Sequence, residues 1–225
     1  MKNLQKLALA LGCVLALGSS VALKNVEAGY HHGESHCVRS AVCSPKGGVG
    51  AMEAFTIDQD KMRYPSMLRM SGAITEIDGN KVVIRGEGQE CIVALIDDET
   101  YVIKGAKGKL RSAKDLKVGQ EVMAYYSARM TRSLPPQAQA YAIIIGDVRK
   151  DYLPQYFVVD QVQQAADGSC VRVLNSTNDV IARIDKYACE EYASIKQGDE
   201  LLLWSRVMTL SLPGQTNAEK VVILK

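Results

Sequence analysis

Ser127-Ala-Arg-Met-Thr-Arg-Ser-Leu-Pro-Pro-Gln-Ala-Gln-Ala140 returns later in the chain as Ser205-Arg-Val-Met-Thr-Leu-Ser-Leu-Pro-Gly-Gln-Thr-Asn-Ala218. Met130, Thr131, Ser133, Leu134, Pro135, Gln137 and Ala140 meet Met208, Thr209, Ser211, Leu212, Pro213, Gln215 and Ala218 at a constant spacing of 78 residues, and Ile143-Ile144-Ile145 meets Val221-Val222-Ile223 at the same spacing. Self-similarity over a whole strand, turn and return strand marks one structural unit used twice. It speaks to architecture rather than activity, because every matched position has a strand or turn explanation.

Working outward from this hairpin, the sequence divides into a first unit over residues 71–149 and a second over 155–225, each roughly 75 residues long, near the lower end for independent folding. In the first unit Ala73-Ile-Thr-Glu-Ile alternates, Asp78-Gly79-Asn80 is a hairpin turn, and Lys81-Val-Val-Ile-Arg answers it. Cys91-Ile-Val-Ala-Leu-Ile is a third strand, Tyr101-Val-Ile extends the sheet, and Ser112-Ala-Lys-Asp-Leu reads as one helical turn before Gly119. A long strand over 121–134 then enters the Pro135-Pro136 turn and returns over 139–146. The second unit has strands over 156–161, 170–174 and 180–184, a short helix within 186–195, a long strand over 201–212, the Pro213-Gly214 turn and a return over 218–224. Five strands with a short helical connection after the third is the order of a small OB-like barrel, which hides its edges by closing. The expected fold is all-β: two tandem five-stranded OB-like barrels after an N-terminal leader and an irregular tail.

Gly72-Ala-Ile-Thr-Glu-Ile, Asp98-Glu-Thr-Tyr-Val-Ile, Asp115-Leu-Lys-Val-Gly-Gln-Glu-Val and the Thr-x-Ser-Leu-Pro hairpin resemble a family of small secreted β-barrel domains of unknown function from exported bacterial envelope proteins. The resemblance covers 71–148 well and 156–225 more loosely, since Asp97-Asp98-Glu99-Thr100 has no counterpart in the second unit. It implies a location and a fold and carries no active site.

Residues 1–28 read as an export signal: Lys2 and Lys6 precede an apolar run over 7–17 that Gly18-Ser19-Ser20 interrupts. Ser20-Val21-Ala22 and Val26-Glu27-Ala28 both offer small-residue cleavage sites, and the second, preferred here, leaves Gly29 first. The apolar run is short for a bilayer, so no stable membrane span is expected after cleavage. Removing Lys2, Lys6, Lys24 and Glu27 from 27 basic and 25 acidic residues leaves equal numbers of each. Such a balance argues against a nucleic-acid partner. The expected location is the periplasm, the cell surface or the medium, and the expected partner an envelope glycan or protein. Of the cysteines that remain, Cys37 with Cys43 and Cys170 with Cys189 are the conceivable pairs, and Cys91 reads as a buried leftover thiol.

Residues 29–70 lack sustained periodicity and read as an irregular tail. All three histidines fall in Tyr30-His31-His32-Gly-Glu-Ser-His36-Cys37. With Gly29 as N-terminus, its amine, two backbone amides (those of Tyr30 and His31) and the His31 imidazole offer four nitrogens in a square, which resembles the amino-terminal site for Cu(II) or Ni(II). His32, His36 and Cys37 offer a looser Zn(II) or copper set. The bland alternative is a solvated tail that binds nothing.

Strand alternation over 127–133 places Ser127, Arg129, Thr131 and Ser133 on one face, matched by Ser205, Val207, Thr209 and Ser211. That row is either a grip for a polar ligand or a solvent-facing strand. The opposite face holds Ala124, Tyr126, Met130 and Leu134 against Leu202, Trp204, Met208 and Leu212, as core candidates. The turn Leu134-Pro135-Pro136-Gln137 sits where OB folds place a ligand-contacting loop, although turn geometry alone accounts for it. Gly105-Ala-Lys-Gly-Lys and Lys46-Gly-Gly lack phosphate-loop spacing. With no histidine in either barrel, a nucleophile–base pair has no obvious members, and a non-enzymatic module is expected.

Overall fold

A computed structural model describes residues 54–224, which lie within one compact body. The first half contains β1 (Met67–Asp78), β2 (Lys81–Gly86), β3 (Cys91–Leu95), β4 (Tyr101–Lys104), β5 (Lys109–Arg111), β6 (Glu121–Ser127) and β7 (Gln137–Ile145). The second contains β8 (Gln155–Gln164), β9 (Cys170–Asn175), β10 (Val180–Asp185), β11 (Glu200–Trp204), β12 (Gly214–Asn217) and β13 (Lys220–Ile223). The fold is all-β, as expected. Among the described residues no helix is long and apolar enough to cross a membrane.

The first sheet runs β3-β2-β1-β6-β7 and closes when β3 pairs with β7 in parallel, Val93 opposite Gln137. The second runs β12-β10-β9-β8-β11-β13. Its last strand breaks at Ala218-Glu219: β12 pairs in parallel with β10, and β13 pairs antiparallel with β11. Both halves thus have the closed OB order, antiparallel except where the third strand meets the fifth. Ile74, Val82, Ile84, Ile92, Val122, Ala124 and Ile143 fill the first core, and Phe157, Val159, Val171, Val173, Ile184, Leu201 and Leu203 the second.

Local detail repeats as well. β1 bulges against β2 between Ile74 and Glu76, and β8 bulges against β9 between Val159 and Gln161. Ile74 donates its N–H to Gln120 O and accepts at its carbonyl from Gly119, while Val159 does the same with Asp199 and Gly198. Gly119 and Gly198 both take positive φ, +86° and +90°, which suits a residue without Cβ.

These anchors correct the expected core face. Gly119 answers Gly198, yet Ser127 answers Ser205, so the first unit carries one additional residue between them. A register shift between β6 and β7 at Tyr125/Tyr126 marks its place, and a bulge absorbs one residue of this kind. Ala124 therefore corresponds to Leu203 inside the barrels, and Tyr125 corresponds to Trp204 outside them. Leu202 and Trp204, expected in a barrel core, instead join Ile103, Tyr125, Ala142, Ile144 and Tyr156 in a third apolar cluster between the barrels. The rings of Tyr125 and Tyr156 stand 5.7 Å apart there.

Three further expectations change. The long strands over 121–134 and 201–212 end at Ser127 and Trp204. Met130, Leu134, Met208 and Leu212, expected in the core, are exposed. Residues from Phe55 onward are structured rather than an irregular tail to 70. Phe55 packs on Leu174 and Ile181, α1 (Gln59–Arg63) follows with Asp58 as its cap, and β1 begins at Met67 rather than at Ser71. This strap belongs by sequence to the approach of the first barrel but lies on the second. Thr56 and Gln161 exchange hydrogen bonds, Asp58 N–H donates to Asn178 Oδ1 at 2.9 Å, and Lys61 pairs with Asp160 at 2.9 Å.

The expected extension at Tyr101 is β4, which continues the line of β3 along β7 in parallel. The turn at Ser112 is a 3₁₀ turn closed by a capping box with Asp115. The β4–β5 connection has no counterpart in the second barrel and reaches across the seam. A Cβ on Gly108 (φ +64°) would sit 2.4 Å from Trp204 Cη2. Gly105-Ala-Lys-Gly-Lys therefore serves packing, in keeping with its dismissal as a phosphate loop.

Candidate functional site

The two proline loops, residues 128–136 and 206–213, are the feature that both barrels build alike and expose. Each begins where a strand stops, and the stop has a local cause. Thr131 N–H donates to Gln137 O at 2.9 Å, and Gln137 N–H donates back to Thr131 Oγ1 at 2.9 Å. Thr131 Oγ1 lies 2.7 Å from Ser133 Oγ, whose hydroxyl donates to Pro135 O at 2.8 Å. Because the Ser133 proton is committed to Pro135, the Thr131 hydroxyl is the donor to Ser133. The result is a one-way chain from the Gln137 amide through two hydroxyls to the Pro135 carbonyl. The second loop has the same chain: Gln215 N–H to Thr209 at 2.8 Å, Thr209 to Ser211 at 2.7 Å and Ser211 to Pro213 O at 2.7 Å. Thr209 N–H donates to Gln215 O at 2.9 Å, and both Leu–Pro bonds are cis.

Hydroxyls that satisfy nearby backbone groups compete with the ladder, which is why the strands do not continue. The expected row of Ser and Thr along one strand face is therefore absent, and its Thr131, Ser133, Thr209 and Ser211 protons are spent inside the loops. What the loops offer outward is apolar and basic. Leu134 is 96 % exposed, Leu210 104 %, Leu212 77 % and Val207 77 %. Within Met-Thr-x-Ser-Leu-Pro the middle position alone differs, Arg132 in the first loop and Leu210 in the second. Sequence reading passed over this position, although an invariant frame around one variable residue was its signal.

Beside the second loop lies a cleft of about 510 Å³, lined by Arg69, Asp179, Arg206, Met208, Leu210 and Leu212 among others. Its charges are largely answered within the fold. Asp179 accepts from Asn175 at 2.6 Å and from Thr177, and Arg206 faces Glu219 at 3.5 Å and the Tyr152 ring. A smaller cleft of about 260 Å³ holds Arg85, Glu87, Glu121, Asp147 and Arg149. Arg149 bonds Glu87 at 2.6 Å there. The Arg149 amide, with Lys150 and the Arg149 side chain beside it, pulls the Asp147 carboxyl down to about 2. Arg149 thus bridges Glu87 and Asp147, and Lys150 pairs with Asp147 at 3.0 Å.

Gly29, Tyr30, His31, His32, His36 and Cys37, the expected metal ligands, lie outside the described residues, as does Cys43. Among the described residues no group of three or more His, Cys, Asp or Glu is placed to hold a metal. Cys91 is half-buried rather than buried, since it opens β3 at the barrel rim. Cys170 and Cys189 are not bonded to each other. The Cys170 thiol lies against the Arg183 guanidinium, and burial pushes the Cys189 thiol up.

No family model matches this chain. A protein of Brevibacillus choshinensis named "Protease inhibitor" is 22% identical over 138 residues, a match that takes in 57% of this chain and 41% of that protein. The chain thus spans about two fifths of the length of that relative.

Proposed function

We propose that this chain is an exported, non-enzymatic recognition module that docks its two proline loops on a peptidase and inhibits it. The observation that carries the reading is the loop built twice with the same hydrogen-bonded frame and with its leucines exposed. Leu210 and Leu212 stand with Met208 at one cleft, and a contiguous exposed apolar surface of this kind marks a protein-interaction site. Bracing the loop before contact lowers the entropy lost on binding. The similarity to a protein named as a protease inhibitor supports a peptidase as the partner. The absence of any histidine from residues 37–225 supports a module without a nucleophile–base pair.

Titrating the full chain against purified serine, cysteine, aspartic and metallo-peptidases tests this. Inhibition of at least one is expected, together with its loss in the double variant Leu134→Asp/Leu212→Asp at an unchanged melting temperature. If no peptidase in the set is slowed, the proposal fails.

A second reading, capture of Cu(II) or Ni(II) by Gly29, Tyr30 and His31, is supported by the confinement of all three histidines to residues 31–36. Protein that starts at Gly29 would show a square-planar copper absorption band that His31→Ala removes and His36→Ala keeps. The opposite pattern would assign the metal to His32, His36 and Cys37.

A further inference from the structure

We infer that the two loops are separate heads, each selecting its own peptidase by one apex side chain: Arg132 for a primary pocket floored by a carboxylate, Leu210 for an apolar pocket. This rests on the peptidase reading above and adds to it the partner class of each loop.

Thr131/Thr209, Ser133/Ser211 and Pro135/Pro213 hold the apex between the same hydrogen bonds, at distances that agree within 0.1 Å from loop to loop. A shared frame presents its central residue alike in both, so a difference at that residue becomes a difference in what is recognised. Arg132 is exposed and, among the described residues, pairs with no carboxylate. Leu210 is the most exposed large apolar residue described. Neither side chain has a role inside its barrel.

A second position changes in the same sense. Arg129 in the first loop answers Val207 in the second, and both are exposed. The first head is therefore basic at two places where the second is aliphatic, whereas the second's own basic residue, Arg206 opposite Ala128, faces Glu219 at 3.5 Å. Two like-directed changes on one outward surface fit two partners of different chemistry better than one partner bound twice. Peptidases divide along this line, since a carboxylate at the base of the primary pocket takes a basic side chain and an apolar slot takes a bulky aliphatic or aromatic one.

The test uses the full chain with trypsin and chymotrypsin as probes of the two pocket types. Each should be inhibited, and a ternary complex with one of each should elute in size-exclusion chromatography. Arg132→Leu should weaken trypsin inhibition about 100-fold, as loss of a central anchor does, and leave chymotrypsin inhibition intact. Leu210→Arg should do the reverse and raise trypsin stoichiometry toward two. Both residues are exposed, and matched melting curves confirm that the variants fold. If trypsin and chymotrypsin displace each other, or if the exchanges leave both inhibition constants unchanged, the two-head inference is overturned while inhibition through another surface stands. Inhibition of a different peptidase class, with neither probe affected, overturns it in the same way. If no peptidase is inhibited, the underlying reading falls with it.

Discussion

The first barrel places residues 96–120 between its third and fourth barrel strands, whereas the second places only 186–199 there. The additional chain forms β4, β5 and the turn at Gly108, and this turn touches Trp204 of the other barrel. Everything the two halves need individually is repeated: the bulge in the first strand, the glycine turn before the fourth, the proline loop after it. They differ where they meet, through the β4–β5 hairpin and the residue inserted at Tyr125/Tyr126. They differ again where they face outward, at Arg132 and Leu210. A duplicated unit can thus keep its folding instructions while its copies diverge in what joins them and in the side chains they present to solvent.

The seam gives the largest expected effect. Trp204→Ala removes a ring packed among Ile103, Tyr125 and Ile144 and should cost about 3–5 kcal/mol in chemical denaturation. If the barrels are tied mainly through this ring, the variant should also unfold in two steps rather than one. Gly108 has no counterpart in the second barrel, whereas Gly119 and Gly198 answer each other. Gly108→Ala must accommodate both a positive φ and a Cβ 2.4 Å from Trp204 Cη2, whereas Gly119→Ala and Gly198→Ala meet no atom within 4 Å. The latter two should lose only about 1 kcal/mol each. Gly108→Ala should lose more than either, and a ranking with Gly108 lowest would remove the hairpin from the seam.

The loop frames should respond equally. Thr131→Val and Thr209→Val each break a hydroxyl chain and should cost about 1–2 kcal/mol. Amide exchange at Gln137 and Gln215 should speed up in the respective variants. Unequal losses would mean that the two loops are not the same device.

Smaller still is the contribution of Lys61, whose partner Asp160 lies on the second barrel only. Half-exposed pairs of this kind contribute about 0–1 kcal/mol, so Lys61→Ala should barely move the midpoint, and less so in high salt.

The smallest effect is confined to the first barrel. Asp147 is held down to about 2 by the Arg149 amide and by Lys150. A depressed carboxyl contributes stability above its unfolded value, near 3.8, and loses it as pH falls through the folded one. Carboxyl shifts followed by NMR should therefore show Asp147 titrating well below the ordinary aspartate value of 3.8, with the 147–151 turn loosening between about pH 4 and pH 2. Normal titration there would remove the cause assigned to it.

Strand order, the Asp78-Gly79-Asn80 turn and the Ser112 turn were legible because alternation and turn chemistry are local. The side of the barrel taken by Trp204 was not. Side chains alternate with a period of two, so the one residue absorbed at Tyr125/Tyr126 exchanges inside for outside in everything aligned across it. The ends of β6 and β11 were also hidden, since Thr and Ser favour strands in general and leave them only when their hydroxyls close on nearby backbone. Phe55 and Ile57 were too sparse to form a pattern, and what orders them is distant in sequence. At the loops, the Thr-x-Ser-Leu-Pro frame was visible from the start. Its meaning was not, because a match draws attention to what is shared, and the informative residue was the one that differed.

The strap has a consequence for the timetable of folding. A chain emerging from its N-terminus has Phe55, Thr56 and Asp58 in hand well before Leu174, Gln161 and Asn178 exist to receive them. The first barrel can close from residues 67–145 alone, but the segment leading into it has to wait until the second is assembled, across separations of 105 and 120 residues. Closure over such distances is slow relative to local pairing. The earliest described residues to be made are therefore seated late, and their docking records that β8 to β10 of the second barrel are in place.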